Sequence, residues 1–155
     1  YDMGIDGCTG IDGWYVDDVH VYSCEVTPLD CSAAYASPEG LWPPNHMFQS
    51  VDVLGVTDPS GGPVQITIRS IFQDEPVDAP DSGNTSPDGR GVGTSTAEVR
   101  AERVESGNGR VYYIGFAARN SQGATCTGTV EVGVPVNRGE TPVGDGPLYD
   151  STMVP

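Results

Sequence analysis

The sequence predicts an all-β protein built as an antiparallel β-sandwich, and three observations carry that prediction. Glycine and proline are abundant, at 21 and 13 residues, and they fall between short runs of Val, Ile, Thr and Tyr, the arrangement of short strands joined by turns. Several of those runs alternate apolar and polar residues with a period of two, as half-buried strands do. The length of 155 residues suffices for one sizeable core, with chain left over at the ends.

The elements are expected in this order. Residues 1–27 begin with a Gly- and Asp-rich stretch, and Trp14–Tyr22 follows as a strand. Trp14, Val16 and Asp18 share one face of it and Tyr15, Asp17, Val19 and Val21 the other, so the strand is covered on both sides. This hairpin has the form of the closing strands of a sandwich, and two strands do not stand alone. A partner must pack on it: an upstream domain, the downstream domain or another copy of the chain.

Residues 28–136 read as a second, nearly complete sandwich. Cys31–Tyr35 is its first strand. Gly40–His46 forms a Pro-Pro corner in which Trp42 before Pro43 admits a cis peptide, and Met47–Val56 is the next strand. After a turn at Thr57–Gly62, Val64, Ile66, Ile68 and Ser70 alternate with Gln65, Thr67 and Arg69. The stretch Gln73–Thr94 breaks the period and reads as a long loop, functional or mobile. Ala97–Val104, with Val99 and Ala101 inward, is expected to form a tight hairpin through Ser106–Gly109 with Arg110–Arg119, whose inward residues are Tyr112, Ile114, Phe116 and Ala118. Cys126, Val130, Val132 and Val134 face inward on the last strand. Residues 137–155 are polar without a period and read as an extended tail, disordered or held by a partner. Trp14, Trp42, Tyr35, Tyr112 and Tyr113 are core candidates.

Seven basic residues, all Arg, stand against 22 acidic ones for a net charge of −15. Such a surface repels nucleic acid and anionic membranes and attracts divalent cations. No signal peptide or apolar spanning run is read in the chain, so membrane insertion is not expected, and the chain reads as a mature form or as a portion of something longer. Cys8, Cys24, Cys31 and Cys126 form no CxxC pair, so two disulfides in a secreted protein are expected. Of three connectivities, Cys8–Cys24 with Cys31–Cys126 is favoured, the first bracing the hairpin and the second tying the first strand of the main sandwich to its last.

Leu41-Trp42-Pro43-Pro44-Asn45-His46-Met47, Gln73-Asp74-Glu75-Pro76-Val77, Arg100-Ala101-Glu102-Arg103, and Gly109–Ile114 running to Cys126–Val130 resemble, as an ordered series, immunoglobulin-like modules of secreted bacterial proteins, similar to the hyalin-repeat class. Asp12–Val19 resembles the end of the jelly-roll or MAM-like modules of secreted metalloproteases and surface adhesins. The resemblance implies an immunoglobulin-like antiparallel β-sandwich with an extra N-terminal hairpin. It also implies a non-catalytic role outside the cell, with Ca²⁺ often stiffening the module. Where related modules place an Asp after the penultimate strand, this chain has Arg119-Asn120.

Two acidic groups suit Ca²⁺, which takes six to eight oxygens. One is Asp74, Glu75, Asp78, Asp81 and Asp88 with Asn84, in the long loop; the competing reading is a solvated acidic loop. The other lies around the first hairpin, where the jelly-roll resemblance singles out Asp17 and Asp18. His20 and His46 have no metal spacing, and His46 reads as a hydrogen-bonding loop residue. Asn84-Thr85-Ser86 is a glycosylation sequon. No nucleophile motif is present, so no catalytic residue is assigned. The expected function is an extracellular structural module, self-associating through strand exchange into a filament-like assembly, with Ca²⁺ and disulfides stiffening it. The alternative is a C-terminal accessory module, substrate- or surface-binding, of a secreted metalloprotease or other hydrolase, whose partner is an upstream domain of the same polypeptide.

Overall fold

The computed structural model of the protein describes residues 27–154. The expected Trp14–Tyr22 strand, the Cys8–Cys24 pairing, His20, Asp17 and Asp18 lie outside the described residues. In chain order the strands are β1 (Tyr35–Ser37), β2 (Phe48–Leu54), β3 (Val64–Gln73), β4 (Gly89–Arg90), β5 (Thr96–Arg100), β6 (Arg110–Asn120), β7 (Thr125–Val134) and β8 (Tyr149–Asp150), with one 3₁₀ turn at Pro80–Ser82. They form two four-stranded antiparallel sheets, in the orders β1-β2-β5-β4 and β7-β6-β3-β8. The sheets pack as a sandwich, as expected for alternating runs with one apolar face each.

The core is filled from both inner faces. Val51, Val53, Ala97 and Val99 of one sheet meet Ile68, Ile71, Tyr112, Ile114, Phe116, Val130, Val132 and Val134 of the other, all buried. Each belongs to the inward set of its strand, and in every strand but β3 the period of two fixes what the core contains. Cys31 and Cys126 are bonded, with Cα atoms 6.1 Å apart. The bond ties the chain before β1 to the start of β7.

Four expectations are corrected. Ser106–Gly109 is a turn, but it does not join a hairpin: β5 pairs with β2 and β4, β6 pairs with β3 and β7, and the link crosses from one sheet to the other. Turn chemistry bends the chain without choosing the partner, and here burial of two apolar faces against each other chose it. The inward set of β3 switches at a bulge, where the register against β6 shifts between Ile68 and Ser70. The extra residue reverses the alternation, so Ile71 and Gln73 are buried rather than Ser70. Tyr35 and Trp42 are not core residues but are 47% and 45% exposed. Ala36 is the inward residue of β1, and Leu41 takes the interior place beside the Pro-Pro corner.

The fourth correction concerns the segment after Val134, which folds back on its own domain. Pro142 lies against Gly109 and Gly133, where added Cβ atoms would stand only 2.7 and 2.5 Å from it. The Gly146 N–H donates to the Tyr113 hydroxyl at 3.0 Å, and the Leu148 N–H donates to the Gln73 carbonyl at 3.0 Å. β8 then pairs with the end of β3. The polar sequence concealed this because the contacts are made by backbone groups and by a proline resting on glycines, neither of which has a hydropathy period.

Candidate functional site

Polar chemistry concentrates at one end of the sandwich, around Arg110. This residue opens β6 in phase with Tyr112, Ile114 and Phe116, so the alternation turns it into the interior, where it is fully buried. Its Nε donates to Glu75 Oε2 at 3.0 Å, and its Nη1 donates to Asp88 Oδ2 at 2.8 Å, to Glu102 Oε1 at 3.2 Å and to the Tyr112 hydroxyl at 3.2 Å. Gln73 donates from Nε2 to Asp88 Oδ2 at 2.8 Å and to the Glu75 carbonyl at 2.9 Å. Glu102 also accepts from the Thr85 hydroxyl and lies 3.2 Å from His46 Nδ1. One guanidinium thereby joins β6, the segment after β5 and both ends of the 74–88 loop, and Gln73 at the end of β3 enters the network through Asp88.

The 74–88 loop is therefore fastened along its length. Asp74 accepts the Val111 N–H at 2.9 Å and the Asp145 N–H at 3.3 Å, and Glu75 accepts the Val104 N–H at 2.7 Å. The backbone N–H groups of Asp88 and Gly89 both donate to the Ser151 carbonyl, which holds the chain just past β8. Asp78, Asp81 and Asn84 are exposed. The five carboxylates expected to form one Ca²⁺ site are thus divided: three hold internal donors and two face solvent. Among the described residues no three His, Cys, Asp or Glu side chains come together in a group that could hold a metal ion. Asn84 stands at φ 51° on the loop surface, while the hydroxyl of its sequon partner Thr85 is engaged by Glu102. His46 is the hydrogen-bonding loop residue the sequence suggests.

Three carboxylates on one buried cation leave excess negative charge, which the cluster relieves by taking up a proton as pH falls through about 6. Burial pushes the Asp88 carboxyl up to about 6, with the neighbouring Glu102 adding to the effect against the pull of Gln73 and Arg110. Burial also raises Glu75. Among the described residues no donor bonds to Asp88 Oδ1, which leaves this oxygen to carry the proton. A carboxyl whose pKa is raised on folding binds its proton more tightly in the folded chain. The stabilisation is then complete below the unfolded value near 4 and is lost as pH rises through about 6. The lowered Asp30, Asp58 and Glu98 are surface groups whose opposing effect sets in only in stronger acid. The melting temperature is therefore expected to be about 2–6 °C higher at pH 5 than at pH 7.5. Asp88→Asn should flatten that slope, because the amide oxygen accepts from Gln73 and Arg110 while its N–H₂ donates to Glu102. An unchanged slope in the variant would place the titration elsewhere.

Sequence reasoning missed Arg110, Gln73 and Glu102. For Arg110 the signal was present, since it shares the parity of the inward residues of its strand. Gln73 could be placed only once the bulge in β3 was known, and Glu102 sits next to buried Ala101 where the strand has already ended.

The second feature is an edge. β7 bonds to β6 along its whole length in unbroken register, from Arg119 opposite Thr125 to Arg110 opposite Val134. Among the described residues its other side is bonded only near the top, where the Gly133 N–H donates to the Glu39 carbonyl at 2.9 Å and its carbonyl accepts the Leu41 N–H at 2.8 Å. Gly133 therefore turns its backbone groups away from β6. By the alternation of an antiparallel ladder, Glu131, Thr129, Thr127 and Thr125 turn theirs the same way. Their side chains are exposed, and among the described residues no further backbone group bonds to their N–H and C=O groups, which form a free edge. No family model matches the chain, and no curated protein or solved structure matches it.

Proposed function

We propose that this chain is a non-catalytic, extracellular structural module that assembles with copies of itself by adding strand to strand. The observation that carries the proposal is the free edge of β7. Edge strands in proteins that remain single are blunted by charged side chains, Pro, bulges or a covering segment; among the described residues Thr125–Glu131 has no Pro, bulge or covering segment, and its one charge is Glu131. Addition of a strand to such an edge is a common mode of association. The buried ionisable groups support the same reading, because they face one another and fasten loops rather than line a cleft. The disulfide suits an oxidising exterior. Any Ca²⁺ contribution would use carboxylates other than Asp74, Glu75 and Asp88, which already hold N–H donors.

With a net charge of −15 on each copy, association is expected to strengthen as salt screens the repulsion. Sedimentation velocity at low and high ionic strength, with electron microscopy of the same samples, tests the proposal. Larger species that grow with concentration and salt are expected. A monomer throughout would overturn it.

A second reading, an accessory binding module of a secreted hydrolase, is favoured by the Pro-Pro corner. There the exposed Trp42 lines a small cleft with Pro38, Leu41, Asn45 and Gln49, an indole beside two carboxamides that suits an uncharged ligand. Tryptophan fluorescence titrated with soluble neutral oligosaccharides tests it: a saturable shift lost in Trp42→Ala supports this reading, and no shift removes it.

A further inference from the structure

We infer that Thr125–Glu131 of β7 pairs antiparallel with the same stretch of a second copy, about a two-fold axis at Gly128, making the two β7-β6-β3-β8 sheets continuous. The inference rests on the self-associating reading and adds its partner and register.

The partner follows from charge. Most of the surface of so acidic a chain repels a second copy, but Glu131 is the only ionisable side chain between Thr125 and Val134. The exposed side chains beside it are Thr125, Thr127 and Thr129. Threonine suits a strand, and Thr pairs across strands are favourable. The edge is thus a place where two copies can approach with little repulsion, and it is self-complementary as a two-fold interface requires.

The register follows from which backbone groups are free. Only residues with the parity of Gly133 point outward, so opposed pairs must be drawn from Thr125, Thr127, Thr129 and Glu131. An axis at Gly128 sets Thr125 against Glu131 and Thr127 against Thr129, and all four residues bond on each copy, for about eight hydrogen bonds in total. Moving the partner one step toward Gly133 brings Thr125 against a residue whose N–H and C=O are already taken by Glu39 and Leu41. Moving it the other way leaves Glu131 without a partner. With the axis at Gly128, Glu131 faces a threonine and no like charges are opposed.

The experiment is sedimentation velocity of the full chain and its variants over a wide concentration range. Thr127→Pro removes an outward N–H without touching the β6 ladder and should weaken dimerisation about tenfold or more. Thr125→Glu places a carboxylate opposite Glu131 twice per dimer and should weaken it roughly three- to tenfold, while Thr125→Lys should tighten it by a similar factor. Gln65→Lys and Gln65→Glu, on the exposed face of β3 away from the edge, control for net charge and should change affinity much less. A dimer indifferent to Thr127→Pro and Thr125→Glu would overturn this interface and leave self-association to another surface. Equal effects at positions 65 and 125 would overturn the register. A wild-type chain that stays monomeric would overturn both this inference and the reading beneath it.

Discussion

Replacing Arg110 by Met is expected to cost about 3–5 kcal/mol, the usual penalty for removing one partner from a buried ion pair. The side chain is fully buried and faces Glu75, Asp88 and Glu102. Met fills much of the same volume, so the loss comes from charge and hydrogen bonds rather than from a cavity. For a domain of this size the melting temperature should fall by about 10–15 °C at pH 7.5, and by less at pH 5, where Asp88 is already protonated. Because Arg110 fastens both ends of the 74–88 loop, limited proteolysis should cut that loop first. Thermal melts of Arg110→Met, Asp88→Asn and the double variant decide the matter. Partial recovery in the double variant is expected, since it removes one uncompensated carboxylate. A loss below about 1 kcal/mol would mean that the network holds less of the fold together than its burial indicates.

Loss of the Cys31–Cys126 bond is the second large effect expected. The cysteines are 95 residues apart, and on the chain-entropy account a closure of that length stabilises by roughly 4–5 kcal/mol. The bond also anchors the chain before β1, where Leu29 is buried and Asp30 pairs with Thr57, to the foot of β7. Urea unfolding of Cys31→Ala/Cys126→Ala should show a lower midpoint with little change in slope. A steeper slope as well would mean that the oxidised chain is the more compact one when unfolded, with less surface to expose. If neither changes, residues 29–31 are held by packing alone.

The sandwich was legible because the period of two names the buried face of a strand without reference to its neighbours. Val99 and Ala101, Tyr112 through Ala118, and Val130 through Val134 needed only their own alternation to be placed in the core. The pairing of Cys31 with Cys126 was likewise readable, because both residues adjoin the strands that begin and close the domain. The sequence by itself determined the inward faces of β5, β6 and β7, whereas β4 and β8, short strands without a period of their own, were not legible in it.

Strand partnership was decided only in three dimensions. Ser106–Gly109 bends the chain as its composition demands, yet whether the bend closes a hairpin or crosses between sheets depends on which faces are buried against each other. The bulge at Arg69 belongs to the same class, since a bulge is defined by the partner strand and has no mark in a single run of residues. Tertiary structure also decided the fate of the acidic loop. Asp74, Glu75 and Asp88 carry the composition of a cation site, but one guanidinium enclosed at the start of β6 and three backbone N–H groups claim their oxygens. Local sequence sets what a side chain can bond to; the fold sets what is near enough to be bonded.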